Sequence, residues 1–270
     1  MNANVIKFTL PAAFIMAMAA MPGISHAGQK IDIDIDNVVF SDSLTIDNPY
    51  FPLLPGTTFT YLAQDGDECE LDVFQVTNTV KIIQIPNPPG PDIVIQSREV
   101  QDDAYEDTNC NGVHDAGEPQ LETTKDWHGQ DDDGNVWYFG EETFECDPDC
   151  TDPAGSWEAG VDGALPGIFI LAQPHPGDQH FQEIAEDEAE DQVKYLRLKV
   201  WVSLHGEQSY DDPGDFHNCW KTKEWTKLDV GHIEHKFYCP AQGAFGGGLV
   251  AVDELKGKTV RFELISVVGP

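Results

Sequence analysis

From residue 57 onward the chain is built of short segments with apolar side chains at every second position, separated by turns rich in glycine, proline and aspartate. A period of two puts successive side chains on opposite faces, which an extended strand accommodates and a helix does not. The plainest case is 194–205. Leu196, Leu198, Val200, Val202 and Leu204 fall on one face, with Tyr195, Arg197, Lys199, Trp201 and His205 on the other, as in a half-buried antiparallel strand. Comparable segments predict strands at 57–62, 71–85, 92–100, 120–127, 136–144, 220–228, 233–238, 249–252 and 259–268. IDIDID at 31–36 reads as a solvated edge strand whose isoleucines face inward and whose aspartates discourage edge-to-edge pairing. DDDGN at 131–135 and KGK at 256–258 supply hairpin turns, whereas the triple glycine at 246–248 reads as a flexible loop. Only GIFILA at 167–172 and EIAEDEAEDQ at 183–192 leave room for a short helix. The expectation is an all-β fold: a single, largely antiparallel β-barrel or β-sandwich-like domain with little helix.

Residues 1–27 read as a signal peptide, with Lys7 ahead of a mostly apolar run and Ser25-His26-Ala27 as a small-x-small cleavage site. That run contains Pro11, is short for a membrane span and is followed by no other long apolar segment. The sequence therefore predicts cleavage after Ala27, one secreted or periplasmic β domain over 28–270, and no membrane span after signal removal. Six cysteines in such a compartment favour disulfides. Fifteen pairings exist and the sequence does not choose among them. The expected set joins Cys146 to Cys150, Cys219 to Cys239 and Cys69 to Cys110; a zinc site is the rival, but paired CxxC knuckles are lacking. A formal net charge of −33 argues against nucleic acid and anionic lipid as partners.

DTNCNGVHDAGE at 107–118 has the spacing of a twelve-residue calcium loop. Asp107, Asn109, Asn111, Asp115 and Glu118 supply side-chain oxygens at positions 1, 3, 5, 9 and 12, Val113 offers its carbonyl at position 7, and Gly112 allows the sharp turn. A hard cation takes oxygen ligands, and side chains on alternate residues of a short loop bring them to one centre. VIQSREV before the loop and Pro119 after it argue against flanking helices, so the loop is expected to join two strands as a calcium-loop insertion. Position 8, commonly apolar and paired with a second loop, is His114, and no second match exists. Calcium is the cofactor expected.

Two other chemistries compete. Glu141 and Glu158, beside Trp137, Tyr138 and Trp157, form a candidate carboxylate pair for glycan hydrolysis or lysis. Histidines at 128, 175 and 235 form a candidate transition-metal carrier site, although strand alternation in HIEH puts His232 with Glu234 and sends His235 to the other face. No GxSxG or HExxH occurs. The tryptophans at 127, 137, 157, 201, 220 and 225 read first as core.

DNPYFPLLPGTTFTY at 47–61, GQDDDGNVWYFGE at 129–141, GSWEAGVDGALPGIFILAQPHPGD at 155–178, AEDQ at 189–192, and EWTKL with IEHKFY at 224–238 together resemble a family of uncharacterised secreted bacterial proteins sharing YFPLxPGT, QDxxGNVWYFGE and GSWEAGVDGAxPGI segments. The resemblance covers most of the chain and implies a common β fold. It carries over no activity, substrate or catalytic residue. The loop at 107–118 and the cysteine segments around Cys146, Cys219 and Cys239 depart from that pattern. The combined expectation is an exported calcium-binding β protein acting as a binding or surface module, with an extracellular glycan or surface component as partner.

Overall fold

The computed structural model describes residues 28–153, 155–204, 216–243 and 245–270. The expected signal peptide and His205 lie outside them. The strands are β1 (Thr58–Asp65), β2 (Glu68–Ile85), β3 (Ile93–Glu106), β4 (Gln120–Gln130), β5 (Val136–Cys146), β6 (Cys150–Asp152), β7 (Trp157–Glu158), β8 (Leu165–Ile170), β9 (Gln179–Phe181), β10 (Glu183–Ile184), β11 (Gln192–Val202), β12 (Phe216–Trp225), β13 (Glu234–Gln242), β14 (Phe245–Glu254) and β15 (Val260–Val268). No helix occurs among the described residues, and GIFILA and 183–192 are short strands and turns.

All the strands join one sheet in the order β10-β8-β5-β4-β3-β2-β1-β15-β14-β13-β12-β11-β9, every named pair antiparallel, with β6 and β7 both on β5. The two ends of this order, β9 and β10, are consecutive in sequence. The chain thus steps from one edge of the sheet to the other across Gln182, and the sheet curls into a nearly closed barrel. Gln182 holds the seam. Its backbone N–H donates to the Asp191 carbonyl at 2.8 Å and its side chain to the Phe169 carbonyl at 3.0 Å. Gly167 makes this approach feasible, since a Cβ there would lie 2.0 Å from the Gln182 carbonyl oxygen. Gly167→Ala is expected to destabilise the barrel by about 3 kcal/mol, because β8 and the Gln182 peptide cannot both hold their places. Urea unfolding checks this; a loss under about 1 kcal/mol would mean that the seam yields without cost.

Three departures from the expected strand pattern have physical causes. The isoleucines of 31–36 do pack inward, with Ile35 buried and Ile31 and Ile33 against the core, yet the segment forms no ladder beyond the Lys30–Gln179 bridge. In β11 the expected outward residue Tyr195 is fully buried together with Val193. Register shifts against β12 between Tyr195 and Val202, with Lys199 at φ 61°, reverse the parity along the strand. Each bulge adds a residue to one strand and exchanges its faces. Gly246, Gly247 and Gly248 belong to β14 rather than a loop; a Cβ on Gly247 would come within 2.6 Å of the Pro49 carbonyl, so glycine lets β14 pass beside residues 49–52.

Three disulfides close as expected: Cys69–Cys110, Cys146–Cys150 and Cys219–Cys239. Among the described residues there is no helix long and apolar enough to cross a membrane. Of the tryptophans, Trp127, Trp137, Trp157 and Trp220 are core, while Trp201 is 73% exposed.

Candidate functional site: an acidic chamber inside the barrel

Antiparallel partners share a face, so the register stacks side chains into rows along the inner wall. One row runs Tyr61, Asp72, Ala104, Glu122, Glu145; the next runs Phe59, Phe74, Asp102, Thr124, Thr143; a third runs Val76, Val100, Asp126, Glu141. Across the barrel, Glu224, Glu234 and Glu254 face one another on β12, β13 and β14. These walls surround a cavity of about 910 Å³. Phe51, from the irregular segment before β1, forms an aromatic floor, with ring centroids 4.5 Å from Phe169, 5.5 Å from His128 and 6.1 Å from Phe74.

Glu141 reaches the Tyr138 hydroxyl through a bulge. Asp126 pairs with Glu141 and His128 with Tyr138, so two steps on β4 oppose three on β5. Gly140 takes up the extra residue at φ 134°, and a Cβ there would lie 2.3 Å from the Trp157 carbonyl. Tyr138 and Glu141 thereby share a face. The Tyr138 hydroxyl sits 2.5 Å from Asp126 Oδ1 and 2.9 Å from Glu141 Oε2. One phenolic hydrogen cannot serve two carboxylates, so a carboxyl of this trio keeps a proton. Burial, reinforced by neighbouring carboxylates, pushes Asp126 and Glu141 each up to about 8 and Asp72 to about 6. Asp102 and Glu183 rise well above the usual range for the same reason.

Lys236 is the one cationic side chain among the described residues lining the cavity. Its Nζ lies 3.0 Å from both Glu224 Oε2 and Glu234 Oε2. Burial works against the ammonium, but these carboxylates outweigh it and raise the Lys236 pKa well above the ordinary lysine value. His128, 1% exposed, stacks on Tyr138 at 4.8 Å. Burial holds it down to about 3 against a hydrogen bond to the Trp137 backbone, so the ring is neutral, and its Nδ1 has no hydrogen-bond partner.

The sequence-derived candidates fall as follows. The loop 107–118 folds back over the outer wall against β1, β2, β3 and β15. Its disulfide ties Cys110 to β2, His114 stacks on Tyr105 with centroids 3.8 Å apart, and Gly112 lies against Ile265. Within it, Asp107 is 1% exposed and accepts from the backbone N–H of Asn111 and Gly112 at 3.2 and 2.7 Å. Asp115 Oδ2 accepts from the side-chain amides of Asn109 and Asn111 at 2.9 Å each, which lowers its pKa. Glu118 uses both oxygens, on Thr108 N at 2.9 Å and Asp115 N at 2.8 Å. Val113 donates its N–H to Asn111 Oδ1 at 2.7 Å. A second cavity of about 500 Å³, lined by Cys69 and Glu106, adjoins the main one and shares Glu70, Leu121, Glu254 and Phe262 with it.

Glu141 and Glu158 do not form a pair. Glu158 is opposite Gly140, one position out of phase with Glu141, and salt-bridges Lys81 at 2.7 Å. His128, His175 and His235 do not converge either: His175 is at the surface beside Asp178, 3.4 Å away, and His235 faces away from Glu234 and Lys236. Among the described residues, His232, Glu234 and Glu254 are the group whose ligating atoms lie within 4.8 Å of one another. Glu234 there already holds Lys236.

The sequence reading missed Asp72, Asp102, Asp126 and Glu183. A signal did exist: Asp72 and Phe74, like Asp126 and His128, share a strand face, and such mixed faces fit the lining of a ligand chamber better than a dry core or an open surface. No protein-family profile, curated protein or solved structure matches the chain.

Proposed function

We propose that this chain is an exported ligand-binding barrel whose mouth is braced by one calcium ion in the loop 107–118. The cavity of about 910 Å³ carries the reading, because its size suits a small molecule and its lining combines aromatic surface with a few convergent polar groups. A closed apolar core would explain neither the open volume nor the carboxylates.

Calcium suits the loop by the chemistry of its donors. Asp107, Asp115 and Glu118 bring three carboxylates to one short turn, and turning the Asn109 and Asn111 amides about their last bond exchanges N–H for carbonyl oxygen toward Asp115. That yields an all-oxygen set of the kind a hard cation takes, with Val113 offering its carbonyl. The ion would neutralise these charges and fix the β3–β4 connection against the wall that Cys69–Cys110 already grips. Export accords with the three disulfides.

The test is thermal and chemical unfolding in calcium and in EDTA. Calcium at a hundredfold its dissociation constant is expected to add about 2.7 kcal/mol, and Asp107→Ala is expected to abolish the increment. For a lone loop, affinity should fall near the extracellular range of about 10⁻⁴ to 10⁻³ M. Identical responses of wild type and Asp107→Ala would remove calcium from the reading.

A further inference from the structure

We propose that the chamber binds an organic ammonium ion, a primary amine on an apolar or aromatic body, with the ammonium against Asp126 on the chamber wall and the body against the aromatic floor. This rests on reading the barrel as a ligand-binding protein and names the ligand's class.

Charge is the first argument. The inner wall carries many carboxylates, and its one cation, Lys236, is engaged by Glu224 and Glu234. Asp126 and Glu141 have no salt-bridge partner among the described residues, only the shared hydroxyl of Tyr138. Buried carboxylates need either protons or a counter-cation. An organic ammonium brings the charge without demanding a tight coordination shell.

The arrangement disfavours a bare metal ion. Ligation of an inorganic cation requires several donor atoms around one point. The described group that meets this condition is His232, Glu234 and Glu254, of which Glu234 already holds the Lys236 ammonium. The other carboxylates are spread along the wall, as an extended ligand would require.

His128 supplies the independent observation. Its ring is 1% exposed, lines the chamber, stacks on Tyr138, and leaves Nδ1 without a partner. Buried polar atoms are ordinarily satisfied, so an unpartnered nitrogen on a ring that lines the chamber marks a place where a ligand donor belongs. An ammonium has three N–H donors; Asp126 and His128 offer acceptors on the chamber wall, and Glu141 stands behind Asp126 across the Tyr138 hydroxyl. Phe51, Phe169 and Phe74 add ring faces for the body and for the cation itself. A volume of about 910 Å³ admits far more than methylammonium.

Dansylcadaverine tests this, since it joins an aromatic group to a primary ammonium and its emission reports transfer out of water. Its N-acetylated counterpart differs by loss of the charge. The expected result is saturable binding of the amine with a blue shift, at least tenfold weaker binding of the acetylated form, and loss of that preference in the Asp126→Asn, Glu141→Gln double variant. Ala104→Trp, which fills the chamber from its wall, should abolish binding of both. Circular dichroism shows which variants fold, and spermine competition against wild type supplies a measurement that needs no variant; it should displace the probe. Equal binding of the acetylated form overturns the ammonium assignment while leaving the ligand-binding barrel standing. Undiminished amine binding by folded Ala104→Trp overturns it too, assigning the probe to the acidic outer surface. Displacement by millimolar calcium chloride in both wild type and Asp107→Ala would make the chamber an inorganic cation site. If neither probe binds, the ligand-binding reading itself fails.

Discussion

Stability without ligand is expected to fall by about 3 kcal/mol between pH 6.5 and pH 8.5. The cause is the proton retained by the chamber. Asp126 and Glu141, each raised to about 8 by burial and by neighbouring carboxylates, hold protons in the folded barrel that they release near pH 4 when unfolded. A group whose folded pKa is raised contributes stability fully present below its unfolded value and lost as pH climbs through its folded value. The loss is about 1.4 kcal/mol per pH unit for each extra proton bound. Below pH 6.5 the neutral histidines oppose this trend. His128, held to about 3, and His180, held to about 4, stay uncharged in the fold while the unfolded chain protonates, so acid costs stability through them. The window from 6.5 to 8.5 therefore isolates the carboxylates. Urea midpoints across it should move steadily downward in wild type and clearly less steeply in the Asp126→Asn, Glu141→Gln double variant, in which Asp102 and Glu183 still hold raised carboxyls. A flat wild-type profile would show that the chamber holds no extra proton there.

The sequence displayed the walls of this barrel more clearly than its contents. Period-two patterning located the ten long strands, and the pairing of the cysteines followed the expected set. Alternation, however, says only that two faces differ. The usual rule that the polar face meets solvent fails once the inner face lines a chamber, and it would send Asp72, Asp102 and Asp126 to the surface although they line the interior. Parity also survives only until a bulge. Glu141 turns to the Tyr138 hydroxyl because Gly140 takes an extra step, and Tyr195 becomes core because β11 slips against β12. These shifts are set by pairing between strands and leave no periodic mark in the strand itself. The expected partner of Glu141 was a neighbour in sequence, Glu158; its actual neighbour is Asp126, brought from the adjacent strand by register. In the loop 107–118 the motif names only the expected donors, while its docking over Tyr105 and Leu62 depends on tertiary contacts.

The turn between β4 and β5 joins local chemistry to that register, and Asp131→Ala is expected to destabilise the protein by about 4 kcal/mol. Asp131 is 6% exposed. Its Oδ1 accepts from Asn135 N at 2.8 Å, and its Oδ2 from Asn135 Nδ2 and from Trp137 Nε1, each at 2.8 Å. Asn135 passes the connection on, its Oδ1 accepting from Ala172 N at 2.9 Å beyond the end of β8. Gly134, at φ 87°, lets the chain close this turn. Alanine would remove three charge-assisted bonds and leave the indole N–H of Trp137, itself 2% exposed, with no acceptor in the core. Because Trp137 lies one residue before Tyr138, a loosened turn would also blur the placement of the Asp126–Tyr138–Glu141 cluster. Asp131→Asn keeps the shape and one acceptor oxygen, so about half the loss is expected. The exposed neighbour Asp133, changed to alanine, should shift stability by less than about 0.5 kcal/mol. Urea unfolding followed by tryptophan fluorescence measures all three, and an Asp131→Ala loss no larger than that of Asp133→Ala would show that the turn forms without its buried carboxylate.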